Sequence, residues 1–226
     1  PDPGAPHILI QAKFVELSEH NAGTSHGKPL PAPLDVAPKK VPGLIATLTD
    51  PQFQVLIRSL NQRKGVDLLS APSITTKSGQ QARVEVVRKF TYKDEKNKEA
   101  ARNPGVTLAV TPRIKKDDQI ALDVSSQIVE FEGFVKHKKS GWQEPIFTER
   151  KVKINTSLPP GQTVVLEMNP RIDKQIVEET DGAGRTISSE TVLYTRRLLV
   201  FVTAYYVDPA TGKVRIPKPS QVNGKR

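Results

Sequence analysis

The chain has 226 residues, of which 36% are hydrophobic, 26% charged and 5% aromatic, and its formal net charge is +10. This length predicts one domain, or at most two small ones, with a buried core, and the composition is too apolar for a disordered chain. Residues 198–207, the longest mostly apolar stretch, provide about half the length of a membrane-spanning helix. The chain has no cysteine, which excludes disulfides, thiolate metal sites and thiol catalysis.

The first fifth of the chain contains a proline-rich segment, which is followed by one helical pattern. Five prolines fall within residues 29–42, and because proline has no amide hydrogen, residues 21–43 are predicted to be an extended loop. Asp50 followed by Pro51 predicts a helix N-cap. The apolar residues then recur at helical spacing, which predicts an amphipathic helix ending within residues 61–65; they are Phe53, Leu56, Ile57 and Leu60.

Most of the remaining chain alternates between apolar and polar residues, which predicts half-buried antiparallel strands. The clearest alternations lie in residues 83–90, 106–111 and 151–158. In residues 120–135 the apolar positions change parity, so a β-bulge near residues 127–129 is expected. Residues 198–202 are apolar at both parities, which predicts a central strand covered on both faces.

These patterns predict a mainly β (α+β) fold: an antiparallel, β-sandwich-like domain with one packed amphipathic helix. Residues 1–211 are predicted to form one domain that includes the proline-rich loop. Residues 212–226 contain five basic residues and no acidic residue, and they are predicted to be a flexible basic tail.

The sequence contains no motif typical of an enzyme. The four histidines, at positions 7, 20, 26 and 137, have no metal-site spacing, and no nucleophile, phosphate or dinucleotide motif is complete. Glu130 and Glu132 lie two residues apart on one predicted strand, as a glycosidase pair could, but a solvated strand face is the simpler interpretation. No catalytic residue, cofactor or metal site is therefore predicted.

One candidate binding patch lies at a predicted hairpin tip. It combines four basic or histidine residues with the chain's one tryptophan: Lys136, His137, Lys138, Lys139 and Trp142. With the basic tail, this patch would suit a polyanion. A solvated loop is the favoured alternative, and scattered basic residues with few aromatic residues argue against nucleic acid as a partner.

Several segments, read in order, resemble the core domain of the bacterial secretins, the outer-membrane channel proteins of type II and type III secretion and of type IV pili. The strand ILIQAKFVELSE at residues 8–19 is similar to their first core strand. The segment at residues 48–86, with its LLSAPS and SGQ-A motifs, is similar to their helix and following turn. The order continues through residues 105–114, 120–134, 148–169 and 196–209.

The resemblance implies a non-enzymatic protein of the bacterial cell envelope, periplasmic or associated with the outer membrane. It would act by contact with protein components of type IV pilus assembly or protein secretion, and a homo-oligomer is among the possible assemblies. Polyanion binding through the tail and hairpin is the alternative function.

The sequence departs from the secretin pattern in the two functional inserts. Residues 171–195 have no proline and none of the motif associated with the secretin lip; they read as a charged β-hairpin. Residues 93–103 are short and lysine-rich where secretins carry the insert that builds their gate. The few aromatic residues also provide no girdles for lipid-facing strands. We therefore expect a soluble relative that lacks the lip and gate segments.

Overall fold

A computed structural model describes residues 7–20, 43–138, 141–208 and 210–215. The regular structure of the described residues is one helix, α1 (Asp50–Asn61), and otherwise strands, which confirms the predicted mainly β fold. The strands are β1 (His7–His20), β2 (Leu44–Leu48), β3 (Val66–Ser70), β4 (Ser73–Lys77), β5 (Ala82–Val87), β6 (Phe90–Lys93), β7 (Glu99–Arg102), β8 (Gly105–Ile114), β9 (Ile120–Lys136), β10 (Gln143–Leu158), β11 (Thr163–Thr180), β12 (Thr186–Val207) and β13 (Val214–Arg215).

Two antiparallel sheets make the body of the domain. The larger sheet has the order β2-β11-β12-β1-β3, with β4 also paired to β1 and β13 to β12. The smaller sheet has the order β10-β9-β8-β5, and β6 pairs with β7 as a separate hairpin. Two hairpins, β9–β10 and β11–β12, provide the longest strands.

The main hydrophobic core lies between the two sheets, where the alternation of the sequence predicts the dry faces. Ile8 and Ile10 of the larger sheet pack in one cluster with Leu108 and Val110 of β8 and Ile154 of β10. Their polar neighbours in sequence point away from this cluster, as the period of two along a strand requires.

Helix α1 covers the opposite face of the larger sheet. Phe53, Leu56 and Leu60 pack against Leu199 and Phe201 of β12, which confirms the predicted helix face. Residues of β12 at the other parity face the core between the sheets. The prediction of a central strand covered on both faces is therefore also confirmed.

Two local predictions need correction. The N-cap of α1 is Thr49 rather than Asp50, because the backbone N–H of Thr49 donates to Gln52 Oε1 at 2.9 Å and extends the capped structure by one residue. The bulge of β9 lies at Glu132, between Phe131 and Gly133, and not at residues 127–129. The alternation of apolar residues in β9 switches before the bulge is reached. It does so because the face of β9 that points away from the core is also covered by other residues near the end of this strand.

Some predicted segments lie outside the described residues. They include residues 21–42 of the proline-rich loop and residues 216–226 of the tail. At the start of the tail, Val214 and Arg215 pair with Val207 and Tyr206 of β12, so flexibility beyond them stays a prediction. In the part of the chain that the structure describes, no helix has the length and apolarity needed to cross a membrane.

Candidate functional site

The smaller sheet ends in two strands that each have one open edge. β5 and β10 are its first and last strands, and within the described ranges neither has a strand partner on its outer side. An unpaired edge presents a row of backbone N–H and C=O groups that can pair with another strand. These two edges are therefore surfaces suited to backbone contact with a protein.

The face of the smaller sheet that points away from the core is polar. Thr107 of β8 pairs with Gln127 of β9, and both lie between edge strands that carry charged residues. On β5, Arg83 Nε donates to Glu85 Oε1 at 2.6 Å. On β10, Lys151 and Lys153 are exposed on the face of the smaller sheet that points away from the core. The two edges therefore present different charges to an incoming strand.

An open cleft of about 920 Å³ lies beside the β5 edge. Its lining includes Leu69 at the end of β3, Val86 and Val87 of β5, and Phe131 of β9. Val86 lies on the core-facing parity of its strand and is nevertheless 51% exposed. The hydrophobic core is thus uncovered on this side, next to the open strand edge.

The predicted patch lies at the tip of the β9–β10 hairpin, where its aromatic members contact each other. The His137 ring stacks on Trp142 with ring centroids 5.1 Å apart, and His137 Nε2 lies 2.8 Å from Glu144 Oε2. Trp142 Nε1 donates to the backbone oxygen of Lys93 at 2.9 Å. Trp142 therefore attaches the tip to the β6–β7 hairpin.

The charged members of the patch are less constrained. Lys136 and Lys138 are exposed, whereas Lys139 lies outside the described residues. Polyanion binding at this tip stays a prediction.

The β6–β7 hairpin covers an aromatic cluster near the same tip. Phe90 lies 4.5 Å from Phe131 and 5.6 Å from Phe147, measured between ring centroids. Phe134 extends this cluster, and Arg102 lies over the Phe147 ring at 5.4 Å. Residues 93–103, where the sequence suggests loss of a gating insert, thus form most of a docked hairpin; the absence of a gate stays a prediction.

A buried ion cluster links the two sheets, and sequence reasoning missed it. Arg150 of β10 is almost fully buried, and its Nη2 donates to Glu16 Oε2 of β1 at 2.9 Å and to Glu130 Oε2 at 2.7 Å. Arg196 of β12 lies 3.6 Å from the second Glu16 oxygen. The signal was present in the sequence, because Glu16 and Arg150 occupy the same parity as the core residues of their strands.

Glu132 is held as a carboxylate. Arg171 of β11 makes a bidentate contact with Glu132, in which Nη2 donates to Oε2 at 2.6 Å. The hydrogen bond from Arg171 lowers the pKa of Glu132 below its ordinary value, more than partial burial raises it. Glu130 and Glu132 therefore each form an ion pair with an arginine. The lowered pKa of Glu132 does not suit a general acid.

Replacing Arg171 with glutamine is expected to raise the pKa of Glu132 towards its ordinary value of 4.5. Because the folded-state pKa is lowered, the contribution of this pair to stability is present above the unfolded-state pKa and is lost as the pH falls through the folded-state pKa. The stability difference between R171Q and the parent chain should therefore shrink on acidification, as measured by urea unfolding with an NMR titration of Glu132. R58Q removes a charge from an exposed arginine of α1 and is the control; an equal pH dependence for R58Q would contradict the assignment.

Among the described residues, no three His, Asp or Glu side chains are grouped closely enough to hold a metal ion. The structure thus offers contact surfaces, an aromatic tip and ion pairs that fix strands, and the open edges remain its most distinctive surface.

Comparison with protein families agrees with this architecture. Residues 59–167 match the Secretin family model, described as "Bacterial type II and III secretion system protein". The matched range begins in α1, ends in β11 and contains the complete smaller sheet. No curated protein sequence matches the chain significantly.

Solved secretin structures resemble the fold over most of the chain. The type II secretin GspD from enteropathogenic Escherichia coli has a TM-score of 0.50 at 19% identity, over 92% of this chain and 71% of its own. The V. cholerae type IV competence pilus secretin PilQ has a TM-score of 0.50 at 16% identity, over 90% and 61%. A Klebsiella pneumoniae type II secretion system outer membrane complex with PulD, PulS and the PulC HR domain gives 0.50 at 16% identity, over 90% and 40%.

At these identities the structural likeness shows a shared fold, and this chain spans less than two thirds of two of the three solved chains. The family match and the fold agree on the same region, which contains the end of the helix, the smaller sheet and the start of the last long hairpin. The family match over residues 59–167 and the shared fold together support a secretin-family core domain in this chain.

Proposed function

We propose that this protein is a non-enzymatic component of a protein-secretion or type IV pilus assembly in the bacterial cell envelope. It acts by protein–protein contact through the open edges of its smaller sheet, and its first partners are further copies of itself. The observation that carries the proposal is the pair of open edges, β5 and β10, at opposite ends of a sheet with a secretin fold.

The direction of the strands favours pairing between copies. Each neighbouring pair in the order β10-β9-β8-β5 is antiparallel, and with four strands β5 and β10 run in opposite directions. A rotation about an axis along the strands keeps these directions, so β10 of one copy would meet β5 of the next as an antiparallel pair. Such a head-to-tail contact repeats from copy to copy and closes into a ring when the rotation allows.

The polar outer face of the smaller sheet supports a water-facing role after pairing. Thr107, Ser125 and Gln127 lie on this face, whereas their neighbours in sequence fill the core between the sheets. In a closed ring of copies this face would surround an aqueous passage, and the larger sheet with α1 would form the outer layer. Location in the periplasm or at the outer membrane belongs to the same proposal.

The mass of the full chain in solution tests the proposal. Sedimentation at micromolar concentration, with and without detergent, should give a multimer, and negative-stain images should contain closed rings. Pairing through strand edges should also change little between low and physiological salt. A monomer at every concentration would overturn the proposal.

Polyanion binding is the alternative and has a different dependence on salt. Binding through about five basic side chains should weaken steeply with salt, because counterions are released from the polyanion. Deleting residues 212–226 should leave the number of subunits in the assembly unchanged. If assembly or partner binding disappears when the tail is deleted, this result would support polyanion binding and contradict contact through strand edges.

A further inference from the structure

The pairing register between two copies follows from the side chains on the two edges, provided that the proposed contact between copies exists. On β5, Val84 pairs with the buried Leu108, so the odd-numbered residues of β5 face outwards. On β10, Val152 and Ile154 belong to the core, so its odd-numbered residues face outwards as well. Only registers that place odd residues opposite odd residues keep both dry faces on one side.

The residue pairs within one copy show which residue of β10 lies at the same height along the strand direction as a given residue of β5. Glu85 pairs with Thr107, Thr107 with Gln127, and Gln127 with Lys151. A second copy placed without any offset would therefore put Lys151 opposite Glu85. The same placement would put Lys153 opposite Arg83, which is a pair of like charges.

Among the registers offset by two residues from level alignment, the smallest offsets that keep this parity, the charges separate the two candidates. An offset that puts Glu149 opposite Glu85 also puts Lys151 opposite Arg83, so both charged pairs would repel. The opposite offset of two residues puts Lys153 opposite Glu85, Asn155 opposite Arg83, and Lys151 opposite Val87. This register contains one attractive pair and no like-charge pair, and opposite charges directly across two strands stabilise their pairing.

We propose that Glu85 of one copy pairs with Lys153 of the next, with β5 and β10 offset by two residues from level alignment. Such an offset also agrees with closure, because strands in a closed sheet tilt and their register is staggered. The second copy would further cover the cleft beside β5, where Leu69, Val86 and Val87 are exposed. The partner at this edge is thus another copy of the chain, in one defined register.

Charge reversal tests the ion pair. E85K should weaken association about thirtyfold, because an attractive cross-strand pair of about 1 kcal/mol becomes a repulsion of similar size, a change of about 2 kcal/mol in total. K153E should do the same, and the double variant E85K/K153E should restore association. E95K makes the same change of charge in the β6–β7 turn and should leave association unchanged. If E95K weakens association as much as E85K, net charge and not this pair controls assembly.

The absence of cysteine in the chain allows a direct test of the register. Within one copy, β5 and β10 are separated by two strands, about 14 Å at ordinary strand spacing, which exceeds the reach of a disulfide. Any disulfide between cysteines on these two strands must therefore join two copies. E85C/K153C and V87C/K151C should each give a ladder of multimers on a non-reducing gel after mild oxidation.

Two register controls make the outcome decisive. E85C/K151C corresponds to level alignment and E85C/E149C to the opposite offset, and both should cross-link poorly. Strong cross-linking in either control, with little in the two expected pairs, would overturn the register while leaving contact through strand edges intact. No cross-linking in any variant, together with a monomeric mass of the parent chain, would overturn the proposed function as well.

Discussion

Replacing Arg150 with methionine is expected to lower the free energy of unfolding by about 3–5 kcal/mol, because removing one member of a buried ion cluster leaves an uncompensated charge. The Arg150 side chain is 5% exposed and contacts carboxylates from both sheets. Without it, the buried Glu16 would keep, among charged groups of the described residues, only the contact with Arg196 at 3.6 Å. Urea unfolding followed by circular dichroism measures the loss.

Two further variants separate this cause from general disturbance of β10. K151M changes the next residue, which points to the opposite face and is 62% exposed, and it should alter stability little. Adding E16M and E130M to R150M replaces the whole cluster by apolar side chains of similar volume and should recover most of the lost stability, because such a replacement of a buried ion cluster is often neutral. A loss below about 1 kcal/mol for R150M, the level of an exposed ion pair, would contradict the buried cluster.

Replacing Phe201 with alanine is expected to cost about 3–5 kcal/mol, the range for removing a buried aromatic side chain from a core. Phe201 is 1% exposed and lies under α1, where its ring centroid is 5.6 Å from that of Phe53. Its loss would leave a cavity between the helix and the larger sheet, and thermal unfolding should shift to lower temperature. The helical signal should decrease at a lower temperature than in the parent chain.

Phe134 provides a matched control for this substitution. Its side chain is 52% exposed in the aromatic cluster of the β9–β10 tip, so F134A removes the same atoms from a surface that water already reaches. F134A should therefore cost much less than F201A. Equal costs would mean that α1 contributes little to the stability of the domain.

The local spacing of apolar residues was sufficient to predict the helix and the strands, but not which strands lie next to each other. The spacing of Phe53, Leu56 and Leu60 predicts the helix and its buried face, and alternation predicts the strands around Leu108 and Ile154. Strand order depends on contacts between distant residues. The sequence alone therefore gives no indication that β5 and β10 end a sheet, and the open edges could not be predicted.

The ion cluster illustrates a second limit. A parity argument places Glu16 with the core residues of β1, and Arg150 with those of β10, but a charged residue at such a position is normally read as the end of a buried stretch. Only the approach of the two sheets shows that each charge has a partner. Similarly, the sequence predicts the hairpin tip that carries Trp142, whereas the contact of Trp142 with Lys93 depends on a separate hairpin.

The pairing of β1 with β12 has a consequence for how the chain reaches its native state. Along its whole length, the first strand is paired with the last long strand, from His7 opposite Val207 to His20 opposite Tyr194. During synthesis the main partner of β1 therefore does not exist until β12 (Thr186–Val207) has been made. Contacts so remote in sequence slow folding and leave apolar strands exposed in the meantime, so β1 would be prone to aggregation until β12 emerges.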